Sequence, residues 1–280
     1  MKRLLATAFA LVPWLAAASV SLQQSSRSVD CYDFVEVTLK VPNPPDGNPF
    51  LDAEVVGEFG RSGAAPLKVD GFCDSADGSV FRIRFMPTQP GEHRFHVTYR
   101  HGGAEEKHSG RFTARPGRRK GLVRVDPKHP FHFAWEGTGE HFFFNGTTTY
   151  WLLGWRDDAV IRECIDRLAK LKVNRIRVSL SGRTTSGRRW MEPMIVSNDE
   201  FQFRLEPWVA ARPPSIENSG YDVTRFHLEH FRKTERMLGH ARSRDLVVSL
   251  IFHLDGRDAG VDPFGKAGAG GPDEQRYYRY

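Results

Sequence analysis

The sequence predicts two regions of different fold class. The first is an immunoglobulin-like β-sandwich over residues 31–114, and the second is an α/β region over residues 122–280. Short alternating segments separated by turn residues predict the sandwich. Beyond residue 122, apolar strand-like segments alternate with helical periodicity, which indicates repeated βα units. A complete (βα)8 (TIM) barrel needs eight units and about 250 residues, so the second region corresponds to a partial barrel of about three units.

Strands of the first region follow one another at short, regular spacing. The alternating segments are 34–40, 52–59, 66–72, 79–87, 92–100 and 109–114. In the fourth segment, Phe81, Ile83 and Phe85 fall on one face and Arg82 and Arg84 on the other, as in a half-buried strand. Residues 19–30 are polar, and we expect them to be loose. Residues 115–121, RPGRRKG, have the charge and the Pro/Gly content of a linker.

The second region begins with short β-segments. A strand over 122–126 precedes two segments, 131–136 and 141–151, which the turn EGTGE joins into a hairpin. Gly137 and Gly139 are free to take positive φ in that turn.

After these segments, the spacing of apolar residues changes from that of strands to that of helices. Asp157 or Asp158 caps a helix that runs to about Lys172, with one apolar stripe. That stripe is Ile161, Cys164, Ile165, Leu168 and Leu171. A second helix over 223–243 is expected to turn Phe226, Phe231, Leu238 and Ala241 inward. The remaining predicted elements are strands 173–180 and 246–255, an aromatic loop 181–221 and a helix from Pro272.

The first 18 residues have the pattern of a secretion signal. Lys2 and Arg3 precede an apolar run, and Ala16–Ala18 supply small residues for cleavage near Ala18. The run is too short and too rich in alanine for a stable membrane span. We therefore expect a secreted or periplasmic protein with no membrane segment.

Composition excludes several classes of function. The formal charge of +6 is spread over scattered arginines, whereas nucleic-acid binding predicts a dense basic stripe.

Cys31 and Cys73 share the first region, and a disulfide between them is left open; Cys164 is expected to be a buried, unreactive thiol. No Cys/His spacing resembles a metal site, and no cofactor is predicted.

Functional side chains of a βα barrel gather where the strands end. By that rule the candidate substrate-binding residues are Trp151 after the first strand, Arg183 after the second, and His253 with Asp255 after the third. His253 and Asp255 are two residues apart, so their side chains point to the same face of an extended strand. Their alternative role is hydrogen bonding at the strand end, and Arg183 is equally consistent with a solvent-facing loop residue.

Aromatic residues crowd the long loop 181–221. Trp190 and Trp208 are candidates for stacking on the apolar face of a sugar ring. The alternative is that such aromatics attach the loop to the rest of the fold.

Three stretches resemble known families. Residues 69–99, VDGFCDSADGSVFRIRFMPTQPGEHRFHVTY, resemble the N-terminal β-sandwich family catalogued as domain of unknown function 5060. Residues 121–151 resemble the start of the apiosidase-like glycoside hydrolase barrel, and residues 266–280 resemble that barrel's third loop and helix. Two departures stand out: His93 replaces a usual tryptophan, and Trp151 begins an apolar WLLG segment where more polar residues are usual.

The resemblance implies an exported glycoside hydrolase, or a close relative, that acts on plant or microbial polysaccharide. Related barrels carry their two carboxylates after the fourth and seventh strands. We therefore expect the chain to be a fragment, with its catalytic residues beyond Tyr280 and no hydrolytic activity of its own. Polysaccharide or oligosaccharide is the expected partner. The alternatives are a non-catalytic carbohydrate-binding or cell-surface module and a scaffold protein whose barrel has lost activity. Neither the sugar nor the oligomeric state follows from the sequence.

Overall fold

Two β-sheets form the first region in the computed structural model, which describes residues 19–182, 198–202, 205, 207–210, 221–252, 264 and 268–280. The four-stranded sheet has the order β1-β3-β7-β6 and the five-stranded sheet β2-β9-β8-β4-β5. Their bounds are β1 Ser21–Gln24, β2 Ser28–Asp30, β3 Val35–Lys40, β4 Ala53–Arg61, β5 Leu67–Asp70, β6 Phe72–Cys73, β7 Val80–Phe85, β8 Gly91–His101 and β9 Ala104–Arg115. A short helix, α1 (Pro49–Asp52), precedes β4.

The interior of this sandwich contains the alternating apolar residues that the sequence predicted. Phe81, Ile83 and Phe85 of β7 are buried, and they share one core with residues of the other sheet such as Phe59 and Phe95. The opposite face of β7 is charged. There, Arg84 Nε donates to Glu36 Oε2 at 2.7 Å, and Arg82 also pairs with Glu36. The β-sandwich part of the prediction is confirmed.

Residues 19–30 form strands and are not loose. β1 pairs antiparallel with β3, and β2 pairs parallel with β9. Leu22 packs against the core, and Val29 is buried in it. The polar composition of this segment concealed the strands because β1 lies at a sheet edge, where alternate side chains face solvent.

A small antiparallel sheet follows the linker. It contains β10 (Val123–Val125), β11 (Phe133–Trp135) and β12 (His141–Phe142), in that order. The predicted hairpin is therefore present. Gly139 has φ +72°, but Gly137 is not among the residues with positive φ. A Cβ on Gly137 would lie 2.7 Å from the carbonyl oxygen of Arg119, so this glycine is needed for close packing.

Three parallel strands form the centre of the second region. β13 (Gly146–Thr148), β14 (Arg175–Ser179) and β17 (Val247–Ile251) lie in sequence order. The predicted strand 141–151 is thus split between two sheets. Helix α2 (Asp158–Lys170) joins β13 to β14, and α3 (Leu228–Ser243) lies between β14 and β17.

Both helices cover one face of this sheet. Ile161 and Ile165 of α2 form one apolar cluster with Ile176 of β14 and with Met237 and Ala241 of α3. Leu171, the last residue of the predicted stripe, is 72% exposed because the helix has ended before it. Within the described residues, β13 and β17 are the two edges of the sheet.

The segment before α3 is a strand. β16 (Tyr221–Phe226) pairs antiparallel with β15 (Trp208–Ala210), so the predicted helix over 223–243 is wrong for its first five residues. Helix α4 (Pro272–Arg279) starts at the predicted proline. No helix in the described part of the chain combines the length and the apolar composition that a bilayer span requires.

All three cysteines are free thiols, so no Cys31–Cys73 disulfide is present. Burial raises the pKa of the Cys73 thiol to about 11, and its Sγ donates to the carbonyl oxygen of Ser75 at 3.1 Å. Cys164 is only partly buried, at the edge of the cluster between the helices. Its pKa is also raised by burial, which disfavours the reactive thiolate.

Candidate functional site

The carboxyl ends of the three parallel strands bring together segments that are far apart in sequence. The residues that follow β13, β14 and β17 are Thr149–Trp151, Leu180–Gly182 and Phe252. The Thr149 N–H donates to the Arg177 carbonyl oxygen at 2.9 Å, and the Leu180 N–H donates to that of Ile251 at 2.8 Å. These bonds extend the ladder past the strands and fix the three chain exits at one edge.

Ser179 and Ser181 stabilise this edge. Both are buried, at 0% and 2% exposure. Ser179 Oγ donates to the carbonyl oxygen of Ser181 at 2.5 Å, and Ser181 Oγ donates to that of Phe252. The Tyr277 hydroxyl of α4 donates to the same Phe252 oxygen at 3.1 Å. The serine hydroxyls therefore donate to buried backbone carbonyl groups, and they lack the solvent exposure of a nucleophile.

Trp151 is the predicted binding residue that the structure places at this edge. Its side chain is half-buried and packs against Gly182, where an added Cβ would lie 3.0 Å from Trp151 Cη2. Glycine at position 182 thus makes room for the indole ring. A half-buried aromatic ring held by a neighbouring strand exit is suited to stacking on a flat apolar ligand face.

Trp208 does not fit the predicted stacking role. It is only 1% exposed, with its ring centroid 4.6 Å from that of Tyr277 and 5.3 Å from that of Phe264. The packing leaves no ring face for a sugar. Trp208 instead attaches β15 to α4, which is the alternative that the sequence left open for the loop aromatics.

The remaining predicted binding residues cannot be placed. Arg183, Trp190, His253 and Asp255 lie outside the described residues. Their roles stay predictions.

A buried histidine behind the edge was missed by the sequence reasoning. His230 of α3 is 8% exposed, and its Nε2 donates to the Leu180 carbonyl oxygen at 2.7 Å. Desolvation lowers its pKa to about 4, so the ring is neutral at physiological pH. His230, Thr234, Met237 and Ala241 form the buried stripe of α3. Of the four inward residues predicted from apolar spacing, Phe226 and Ala241 are buried. Phe231 and Leu238 are only partly buried, because His230 and Met237 occupy the buried stripe beside them.

The sheet face opposite the helices carries charged and polar side chains. Arg175 Nε donates to Ser249 Oγ at 3.0 Å across neighbouring strands, and the Arg177 guanidinium lies 5.3 Å from the Tyr150 ring centroid. Because Ile176 and Val178 turn toward the helices, Arg175, Arg177 and Ser179 must turn the other way. Residues of this type provide hydrogen-bond donors that could orient a polar ligand.

A second concave region lies between the sandwich and α4. It is a cleft of ≈ 480 Å³ with an aromatic floor that includes Phe72 and Tyr280. Charged side chains at its rim include Lys68, Asp70 and Arg279. An apolar floor with a few charged groups is also an arrangement that ligand sites use.

A cluster of metal-ligand type occurs in the small antiparallel sheet. Asp126 Oδ2 accepts from His129 Nδ1 at 3.2 Å and from His141 Nε2 at 2.9 Å. Hydrogen bonds from the Lys128 N–H and from His129 lower the Asp126 pKa to about 2. Cys/His spacing in the sequence does not reveal this cluster, because one ligand is an aspartate and His141 is 12 residues beyond His129.

Comparison with known proteins bears on both regions. Residues 28–100 match the family described as "Domain of unknown function (DUF5060)". No curated protein matches the chain. A crystal structure from Bacteroides vulgatus ATCC 8482, described as "a putative glycoside hydrolase", covers 81% of the chain at 23% identity with a TM-score of 0.65.

The chain spans 41% of the length of that Bacteroides protein. Likeness at this identity shows a common fold, and it extends beyond the sandwich. The β-glucuronidase of Parabacteroides merdae covers 58% of the chain at 13% identity, with a TM-score of 0.23, which is too low to carry an argument. The resemblance to domain 5060 is thus confirmed for the sandwich.

Proposed function

We propose that this chain belongs to a carbohydrate-active protein of glycoside hydrolase type and binds poly- or oligosaccharide at the carboxyl edge of its parallel sheet. In this proposal β13, β14 and β17 are the first three strands of a (βα)8 barrel. The observation that carries it is the sheet itself, in which three parallel strands lie in sequence order with α2 and α3 on one face. A barrel wall has that order and that one-sided cover.

The polar face of the sheet supports the same proposal. In a closed barrel, the face opposite the helices is the interior, and the carboxyl edge is where ligands bind. Arg177 on that face, beside Tyr150 at the strand exit, and Trp151 at the edge are residue types that sugar sites use for hydroxyl bonding and ring stacking. The fold shared with the Bacteroides vulgatus protein over 81% of the chain is in keeping with this arrangement.

Among the described residues, the three strand exits carry no carboxylate. Glycoside hydrolysis uses two carboxylates on either side of the scissile bond. In the part of the strand exits that the structure describes, the side chains are Thr, Tyr, Trp, Leu, Ser and Phe. We propose that the acids come from later strands of the barrel, and that the 280-residue chain binds carbohydrate without hydrolysing it.

Affinity electrophoresis of the purified chain in gels that contain plant or microbial polysaccharides tests this proposal. We expect retardation in at least one polysaccharide, and Trp151→Ala should weaken binding about tenfold or more because a stacking ring is lost. The matched control is Trp135→Ala, since Trp135 is half-buried in the small antiparallel sheet, against Phe142. Release of reducing sugar by the wild-type chain would contradict the assignment of catalysis to later strands.

The cleft between the sandwich and α4 supports a second candidate, a non-catalytic binding module. Its aromatic floor and charged rim would then hold the carbohydrate. Lys68→Ala and Arg279→Ala should weaken binding in that case, while Trp151→Ala leaves it unchanged. Equal binding by all of these variants would argue against both sites.

A further inference from the structure

Two histidines and one carboxylate, from the turn after β10 and from β12, converge on one point. The ligand atoms of Asp126, His129 and His141 all lie within 4.8 Å of one another. The carboxyl side chain of Asp126 is 9% exposed, whereas the two imidazoles are 56% and 64% exposed. A buried carboxylate thus lies beneath two accessible rings.

Backbone hydrogen bonds fix this arrangement. The Asp126 N–H donates to the His132 carbonyl oxygen at 2.9 Å, and the His132 N–H donates to that of His129 at 2.8 Å. Lys128 N–H donates to Asp126 Oδ1 at 2.8 Å, which leaves Oδ2 directed at the two rings. His141 comes from β12, where it pairs with Ala134 of β11. Two elements therefore hold the three side chains in place before any ligand arrives.

The distances match those of a metal-ligand set. In tetrahedral zinc sites, bonds of about 2.0–2.1 Å place neighbouring ligand atoms roughly 3.3 Å apart. The separations from Asp126 Oδ2 to His129 Nδ1 and to His141 Nε2 are 3.2 and 2.9 Å. Small movements of the exposed rings would open the group around an ion.

The ligand types select among metals. Calcium and magnesium prefer oxygen ligands, whereas imidazole nitrogen favours zinc and its transition-metal neighbours. Two imidazoles and one carboxylate are the protein ligands of known zinc sites that leave the fourth position to water. His132 flanks the group, with its ring nearly parallel to that of His141 at 6.0 Å between centroids.

We propose that Asp126, His129 and His141 form a binding site for a zinc ion. The site is separate from the carboxyl edge of the parallel sheet, since its ligands lie in the small sheet of β10, β11 and β12 and in the turn after β10.

Calorimetric titration of the tag-free, EDTA-treated 280-residue chain with Zn²⁺ tests the proposal. One saturable site is expected. His129→Ala and His141→Ala should each weaken the zinc Kd at least about tenfold, since even second-shell changes cost that much in metal sites. The matched control is His96→Ala, because His96 is an exposed strand histidine bonded to Ser109 Oγ at 2.8 Å and should leave the Kd unchanged.

Cobalt provides a second readout that weak surface binding would not reproduce. Co²⁺ at the site should give the intense visible bands of a tetrahedral complex, and Zn²⁺ should displace it. Circular dichroism of each variant checks that the fold is retained. Absence of a one-to-one zinc isotherm, or a Kd that is the same in His141→Ala as in the wild type, would overturn the proposal.

Discussion

Three buried polar side chains of this protein donate hydrogen bonds to specific backbone groups. Ser179, Ser181 and His230 each donate to a carbonyl oxygen at the carboxyl edge of the parallel sheet. A buried carbonyl without a donor costs about 1–3 kcal/mol, so these three contacts decide how the strand exits can be arranged. The buried polar side chains therefore fix the arrangement of this edge.

The lowered pKa of His230 predicts how the free energy of unfolding depends on pH. Its pKa is lowered from 6.5 to about 4 in the folded state, because burial disfavours the charged ring. As the pH falls from about 6.5 to 4, the unfolded chain gains a proton that the folded chain excludes. The free energy of unfolding should fall by about 3 kcal/mol over this window.

Urea unfolding of the wild type and of His230→Gln between pH 7 and pH 4.5 measures this effect. Glutamine keeps a donor for the Leu180 carbonyl oxygen but does not titrate, so the variant should lose the part of the pH dependence that His230 contributes. His93 and His227, whose pKa values burial also lowers, keep their contributions. His96→Gln is the control, since His96 is exposed on β8. The same slope in His230→Gln as in the wild type would show that another group is responsible.

At the scale of elements, the structure decides which of two adjacent aspartates is the N-cap of helix α2. The sequence allowed Asp157 or Asp158 as the N-cap, and the structure assigns Asp157, whose carboxylate accepts from the Ala159 N–H at 2.7 Å. Asp158 instead accepts from Arg236 Nε of α3 at 2.5 Å. Adjacent aspartates thus have different roles, one within the helix and one between the two helices.

Asp157→Ala should lower the free energy of unfolding by about 1 kcal/mol, because an N-cap acceptor for a free helix N–H is lost. Asp157→Asn should keep most of the stability, since its side-chain oxygen still accepts that hydrogen bond. Chemical denaturation of both variants checks the difference. Equal losses in the two would indicate that the charge matters more than the cap.

At the scale of the whole molecule, aromatic contacts join the sandwich to the α/β region. The Tyr280 ring stacks on Phe226 of β16 at 3.8 Å between centroids and meets the edges of Phe50 and Phe72 of the sandwich. Its hydroxyl donates to the Cys73 carbonyl oxygen at 2.6 Å. One side chain therefore contacts both regions.

Tyr280→Ala should uncouple the two regions. We expect one calorimetric transition for the wild-type chain and two for the variant, with a loss of roughly 2–4 kcal/mol from the removed aromatic packing. Tyr278→Ala is the control, because Tyr278 is on the same helix but 41% exposed. A single unshifted transition in Tyr280→Ala would show that other contacts, such as the Arg84–Glu235 ion pair, suffice.

Local pattern was sufficient for much of the fold. The alternation in β7 and the apolar stripe of α2 predicted which faces are buried, because burial imposes the periods of strand and helix on the sequence. Local pattern failed where one element mixes polar and apolar residues. β1 and β2 are polar edge strands, and the buried stripe of α3 includes His230 and Thr234. Counting only apolar residues could not find either.

The sequence by itself determined that a sandwich precedes βα units, and that Trp151 follows the first parallel strand. Only the tertiary structure decided that Trp208 is buried against Tyr277 and that Asp126 meets His129 and His141. The apolar periods of strands and helices involve residues close together in the chain, so they can be recognised in a short stretch of sequence. The burial of one ring or the convergence of three ligands depends on segments distant in sequence, whose approach is fixed only when the sheets and helices pack.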